Sequence, residues 1–445
     1  MHKIILTIVK CIVIIQDVYI INLNTNNMYT NTINDNMEGS KMKNWYCMGI
    51  LAMTLCLTAC SQKTNVTTDQ NQPAEQEGSI KEEDNSPKIP EEYTIALIAP
   101  FTGDNAQYGN AFKTGVKALC DEVNAKGGIN GANLAFEVFD DAADAAQSTN
   151  MAQIVTGDDK YIAAIGSYSS TCTLAFASIF DEARMPVMVP CAGNSTIATE
   201  YNCTFQRGMT IPIESALMAR YAVQKLEGEK VALIALNNDA GLQFMEHAEK
   251  AVDELSASGV PCQVVAAETF NEGEVRDYSA MVLKIKDANP DIIVINMGYV
   301  ECAAILNQAK QAGLTDVKWL GNQSMYTEDF TNLVGDAGVG FFVSTGFFAA
   351  NPDEGVQEFI QQCKDIDGNI PNAYQRNSYE CAAMIAQCLK EGANNREDLY
   401  SALSSMEYWK GKTGGNKWIN RQSEEEYLIL QYQGEGEWTM LELNK

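Results

Sequence analysis

Tyr93-Thr-Ile-Ala-Leu-Ile-Ala99 followed by Pro100-Phe-Thr-Gly-Asp-Asn-Ala-Gln-Tyr108-Gly109 sets the pattern that the rest of the chain repeats. The first run is short and apolar throughout, which reads as a strand. A glycine-bearing turn follows, and Ala111 to Ala125 then carries helical spacing in Val116, Leu119 and Val123. Further strands are expected at Leu134 to Phe139, Ala163 to Ile165, Val187 to Val189, Val231 to Leu236, Gln263 to Thr269, Ile292 to Asn296, Lys318 to Leu320 and Phe341 to Thr345. Helices are expected at Asp144 to Thr156, Ser215 to Lys225, Ala240 to Ser256, Ser279 to Ala288, Cys302 to Ala312 and Ser378 to Glu391. Such alternation specifies an α/β class with parallel sheets covered by helices, and the length calls for more than one sheet.

The chain has 445 residues, room for two or three domains at about 150 each, and 46% hydrophobic residues suffice to build cores. A formal charge of −27 argues against nucleic acid or anionic lipid as the main partner. Only His2 and His247 occur, so zinc sites and Ser-His-Asp or Cys-His pairs have at most one ring to rest on. An enzyme is therefore a poor reading. Gly411-Lys412-Thr413 superficially resembles a phosphate loop, but position 406 is Met, so the glycine frame fails.

Residues 42–59 have the form of a secretory signal, with Lys43 before an apolar run that ends Leu57-Thr58-Ala59-Cys60. That ending is similar to the lipobox of bacterial lipoproteins, which makes Cys60 the lipidated first residue of the exported chain. Residues 1–41 read as a spurious or removed extension. Residues 60–92 carry almost no apolar side chains and form a tether, with a root-mean-square reach of roughly 30 Å. The expected location is thus the extracytoplasmic face of a bacterial membrane.

In open α/β sheets the site lies beyond the carboxyl ends of the strands. Those positions supply Tyr108 and Gly109, Gly166-Ser-Tyr-Ser-Ser170-Thr171, Pro190-Cys-Ala-Gly-Asn194-Ser195, Asn237 to Gly241, Gly298-Tyr299-Val-Glu301 and Gly321-Asn-Gln323-Ser324. Ser170 and Thr171 precede a helical stretch whose free N–H groups suit a carboxylate, although a serine there also suits a simple cap.

From Tyr93 onward the chain resembles the Leu/Ile/Val-binding proteins, the type I solute-binding components of ABC transporters. The resemblance rests on the order of its pieces: Ala99-Pro-Phe-Thr-Gly with Tyr108-Gly109, Asn124-Ala-Lys-Gly-Gly-Ile-Asn-Gly131, Asp140-Asp141, Ile165-Gly166 with Ser169-Ser170-Thr171, Pro190 to Asn194, Gly298-Tyr299 with Glu301-Cys-Ala-Ala, and Gly321. It implies two Rossmann-like lobes joined by three hinge crossings, residues 93–212 plus 344–416 and residues 213–343 plus 417–445, closing on a small ligand for delivery to a permease. No reaction, cofactor or metal is implied. By resemblance Ser170 binds the ligand carboxylate, with Ser169 in the same loop and the Gly193 backbone as a second donor. The Cys191 carbonyl, beside Ala192, accepts from the ligand ammonium, and Tyr108, Tyr168, Tyr299 and Tyr379 wall the pocket.

Three positions depart from the family pattern. Gly193 stands where a Thr is common, leaving Asn194 or Ser195 to replace its hydroxyl. Gln323 stands where an acid usually faces the ammonium, and Ala240 replaces a frequent Tyr. These changes weaken leucine as the ligand and favour a carboxylate without an α-ammonium, a larger amino acid, an amide or a short peptide. Glu301 either supplies the missing charge or simply begins a helix. A sensor ectodomain is the rival use of the same fold. Nine cysteines follow Cys60, so at least one thiol stays unpaired in a monomer. By resemblance, Ala143 and Ser169 occupy the places of a disulfide seen in some relatives.

Overall fold

A computed structural model describes residues 89–441 apart from 272 and 274–276. The signal segment, the lipidation expected at Cys60 and most of the tether lie outside the described residues. The first lobe begins with β1 (Glu92–Ala99), α1 (Ala106–Ala125), β2 (Asn133–Asp140), α2 (Ala145–Thr156), β3 (Tyr161–Gly166), α3 (Ser170–Glu182), β4 (Val187–Val189), α4 (Thr196–Glu200) and β5 (Thr204–Gln206). The chain then crosses to the second lobe for α5 (Ile211–Gln224), β6 (Lys230–Leu236), α6 (Asp239–Ala257), β7 (Gln263–Phe270), α7 (Ser279–Ala288), β8 (Ile292–Asn296), α8 (Tyr299–Gln311), β9 (Lys318–Gly321), α9 (Glu328–Val334) and β10 (Phe342–Thr345). It returns for α10 (Glu354–Asp367), α11 (Ala373–Lys390), α12 (Arg396–Ser404), β11 (Tyr408–Gly411), β12 (Gly414–Ile419) and β13 (Gln422–Glu424), and finishes in the second lobe with β14 (Leu428–Gly434) and β15 (Glu437–Leu441).

The two sheets share one plan. The first has the order β11-β12-β13-β5-β4-β3-β1-β2 and the second β15-β14-β10-β9-β8-β6-β7. In each, the first strand to enter is flanked on both sides by parallel partners, β1 by β2 and β3, β6 by β7 and β8. That is where the strand order reverses, and the crevice at such a reversal is where ligands bind in open α/β sheets. Ile95, Leu97 and Ile98 of β1 are wholly buried because helices cover both faces, each side chain contributing roughly 1.5–3 kcal/mol.

The lobes also start alike. A Cβ at Gly109 would sit 1.8 Å from the Pro100 carbonyl oxygen, and one at Gly241 would sit 1.8 Å from the Leu236 carbonyl oxygen. Only glycine lets the helix after the first strand of each lobe, α1 and α6, lie so tightly on the end of that strand.

The expected lobe boundary at 416/417 falls inside β12. Strands β12 and β13 extend the first sheet, Gln422 pairing with Gln206 of β5, so the last crossing comes only between Glu424 and Leu428. A buried cluster ties the three crossings together. Arg207 of the first and Arg376 of α11 both donate to the carboxylate of Glu425 in the third, and Arg376 also donates to the Gly346 carbonyl in the second at 2.8 Å.

Candidate functional site

Between the lobes lies a cavity of about 110 Å³. A cavity near 150 Å³ accommodates benzene, so this one fits a ligand of a few heavy atoms. The first lobe contributes the loops after β3 and β4, and the second contributes the start of α5 and the ends of β6, β8 and β9. Direct hydrogen bonds close the lobes over it. Thr171 Oγ1 donates to Asp239 Oδ2 at 2.6 Å, Ser195 N–H donates to Gln243 Oε1 at 3.0 Å, and Gln243 Nε2 donates to Ser195 Oγ at 3.1 Å.

One end of the cavity is built for an anion. Ser169, not Ser170, caps α3, its Oγ accepting from Cys172 N–H at 3.1 Å. The first N–H groups of a helix have no intrahelical partner, which leaves those of Ser170 and Thr171 for an incoming oxygen at the positive end of the dipole. The Ser170 hydroxyl accepts from Asn194 N–H at 3.2 Å, so its own proton is left to donate.

The opposite character comes from Glu214, in the first turn of α5. Its side chain lines the cavity, the residue is 6% exposed, and Oε1 has no hydrogen-bond partner. A helix start favours a carboxylate by about 1 kcal/mol, but burial outweighs that and pushes this carboxyl up to about 8. Burial also raises Tyr168, Tyr374 and Cys191 well above their ordinary values. The titratable groups that line the cavity are therefore uncharged near pH 7.

The structure brings Tyr168, Ser169, Ser170, Cys191, Ala192, Gly193 and Gln323 to this cavity. Tyr108 stands one layer behind, stacked on Tyr168 at 3.9 Å between centroids and edge-on to Tyr299 at 6.2 Å. Tyr108 faces a wider recess of about 630 Å³ that also holds Glu301, while the Tyr299 hydroxyl donates to Asp329 at 3.3 Å. Tyr379 is not at the cleft. Its hydroxyl donates to Glu122 Oε2 at 2.8 Å on the far side of α11, and Tyr374, five residues earlier, supplies the wall instead. On a helix, residues five apart differ by about 140°, enough to turn one of them away.

The departures also resolve. A Cβ at Gly193 would lie 3.0 Å from Ile211 Cδ1, so Ile211 occupies the space of any side chain there. Neither Asn194 nor Ser195 is among the residues that line the cavity, so neither replaces a lost hydroxyl there. Ala240 lines the cavity, which nevertheless stays small because Ile211 and Tyr374 also face it. Gly411-Lys412-Thr413 is structural: Lys412 pairs with Glu122 at 2.6 Å and the Thr413 hydroxyl donates to Glu380. All nine cysteines among the described residues are free.

Sequence reasoning missed Glu214, Ile211, Tyr374 and Asn296 as lining residues. Glu214 falls just before the helix expected at Ser215 to Lys225, whereas that helix begins at Ile211, and nothing in its neighbours marks it as buried.

Comparison with known proteins agrees with this architecture. The chain is 26% identical over 312 residues to the leucine-, isoleucine-, valine-, threonine- and alanine-binding protein of Pseudomonas aeruginosa, covering 69% of this chain and 81% of that one. The crystal structure of a leucine binding protein from Thermotoga maritima superposes with a TM-score of 0.71 at 22% identity, over 78% of this chain and 97% of that one. A solute binding protein of an ABC transporter from Rhodopseudomonas palustris, in complex with 3,4-dihydroxybenzoic acid, gives 0.71 at 21% identity, over 78% and 95%. The sequence profile of the family described as periplasmic binding protein matches residues 92–437. With two like-ordered lobes closed on a small cavity and that profile spanning both of them, the chain belongs to the periplasmic binding protein family.

Proposed function

We propose that this protein is the extracytoplasmic solute-capturing component of an ABC transporter, held to the membrane by a lipid on Cys60, and that it takes a small amino acid. The carrying observation is the α3 start, where Ser170 and Thr171 present donors to a cavity closed by interlobe hydrogen bonds. The Pseudomonas relative is named for amino acids that include the small alanine and threonine. The cavity volume disfavours dipeptides and large side chains. Binding, not catalysis, suits a lining whose titratable groups are all held neutral by burial. Tyr108, Tyr168 and Tyr299 act as a layered aromatic wall, with Ser169, Cys191, Ala192, Gly193 and Gln323 shaping the ligand's immediate surroundings.

An ammonium-free carboxylate is the competing reading, favoured by the neutral Gln323. A thermal-shift screen of protein stripped of retained ligand, against the standard amino acids, their amides, dipeptides and benzoates, separates the two, because a ligand bound only by the folded state raises Tm by mass action. A rise with small amino acids is expected. Rises with benzoates alone would replace this reading, and no rise with any solute would sink it.

A further inference from the structure

Glu214 has no role in the family resemblance, and the site as described leaves its carboxyl without a partner. It lines the cavity, is 6% exposed, and its Oε1 makes no hydrogen bond. A buried polar atom left unpaired is costly, so one that faces a ligand cavity is best explained by a partner that arrives with the ligand. The helix start at Ser170 and Thr171 lines the same space of about 110 Å³. Carboxylate donors and a lone carboxyl thus lie within one cavity of roughly amino-acid size.

We infer that Glu214 is the counter-ion for the ammonium of the bound solute, replacing from α5 the acid that Gln323 lacks, and that it selects an amino acid over the matching 2-hydroxy acid. The inference rests on the proposed reading that this cavity takes a small carboxylate solute. The groups around Glu214 leave it this task. Tyr374 of α11 and Tyr427 of the third crossing lie within electrostatic reach, and Tyr168 and Cys191 face it across the cavity. Burial keeps all four protonated through neutral pH. Tyr427 stands within reach of both Glu214 and the charged cluster of Arg376 and Glu425, whose charges are already paired with one another. Asp239, at the start of α6, is bonded to Thr171.

The consequence is a coupled proton. The empty site holds Glu214 protonated at pH 7, since burial places its carboxyl near 8. An ammonium against it favours the carboxylate, so binding expels the proton to solvent. Affinity then rises with pH up to about 8 and falls again once the solute's own ammonium deprotonates.

The test is isothermal titration of the whole ligand-stripped protein with L-alanine, L-valine, L-leucine and their 2-hydroxy counterparts, in buffers of different ionisation heat. Wild type is expected to bind at least one amino acid roughly 30-fold or more tighter than its hydroxy counterpart. It is also expected to release most of a proton at pH 7 and little or none at pH 9. Glu214→Gln, which keeps shape and removes the charge, should lose that preference and the proton release. Proton release in wild type needs no variant, so a misfolded Glu214→Gln would not shield the inference. Amino-acid binding without proton release, or with affinity unchanged in Glu214→Gln, overturns the role of Glu214 and leaves solute capture standing. Binding of none of the six compounds by wild type overturns the small-carboxylate reading and this inference with it.

Discussion

At the scale of single residues, burial and pairing decide which polar groups meet the ligand. Ser170 accepts from Asn194 and so is left to donate, and Ser170→Ala should weaken binding of a carboxylate solute by about 1–3 kcal/mol in calorimetry while Tm of the empty protein hardly moves. Glu214 has the opposite balance in the empty protein. Its carboxyl is raised, so its contribution to stability is fully present at low pH and is lost as pH rises from about 4.5 toward about 8, the unfolded chain ionising first. Glu214→Gln should therefore stabilise the unliganded protein, with the gain growing from pH 5 to pH 8 to the order of a few kcal/mol in urea unfolding. A gain that shrinks as pH rises would show that Glu214 is ionised in the empty site. A carboxyl buried at a cavity wall is legible only in the folded packing, since Ile213-Glu214-Ser215 looks like any amphipathic helix start.

Elements were legible in proportion to their length and period. The strands from β1 to β10 that carry four or more apolar residues in a run, and helices such as α6 with Phe244, Ala248, Ala251 and Leu255 buried on one face, stand where their patterns put them. Strands β5 and β13 have three residues each, too few to show alternation, and they exist because neighbouring strands on both sides, β4 and β12 as well as each other, supply their partners. Helix α10 buries Val356, Phe359, Ile360 and Cys363, a helical stripe that was present in the sequence and not read. Between elements, the starts of α3 and α6 meet across the cleft through Thr171 and Asp239. Thr171→Val removes a solvent-exposed contact of the closed form, so affinity should fall by about 0.5–1.5 kcal/mol, with little change in unfolding of the unliganded protein. An unchanged Kd for the screened solute would show that this bond does not contribute to closure.

For the whole molecule the crossings matter most, because they set how the lobes turn on one another. Arg207, Glu425 and Arg376 are buried together, with Gly346 of the remaining crossing held by the same Arg376. Burial alone would raise the Glu425 carboxyl, but the two guanidinium groups outweigh it and hold it below the usual carboxylate range. A depressed carboxyl stabilises the fold above its unfolded value and gives up that contribution as pH falls through its folded value, so the hinge should weaken in acid before the lobes melt. Glu425→Gln leaves two buried cations short of a counter-charge and should cost about 3–5 kcal/mol in denaturant unfolding at pH 7. A loss under 1 kcal/mol would mean that the neighbouring Glu380 neutralises the pair.

The amino-acid sequence by itself determined the α/β class and the loops that carry Ser169, Ser170, Cys191, Gly193 and Gln323, because strand and helix periods and the residues just after each strand are local properties of the chain, while the two-lobed plan came from the resemblance of its motifs to a family. Tertiary structure alone decided that Tyr374 and not Tyr379 walls the cavity, that β12 and β13 complete the first sheet, and that Glu214 is buried against the ligand space. Each of these depends on which face a helix turns inward or which sheet edge is vacant. Those are settled by packing among segments hundreds of residues apart, and no local pattern encodes them.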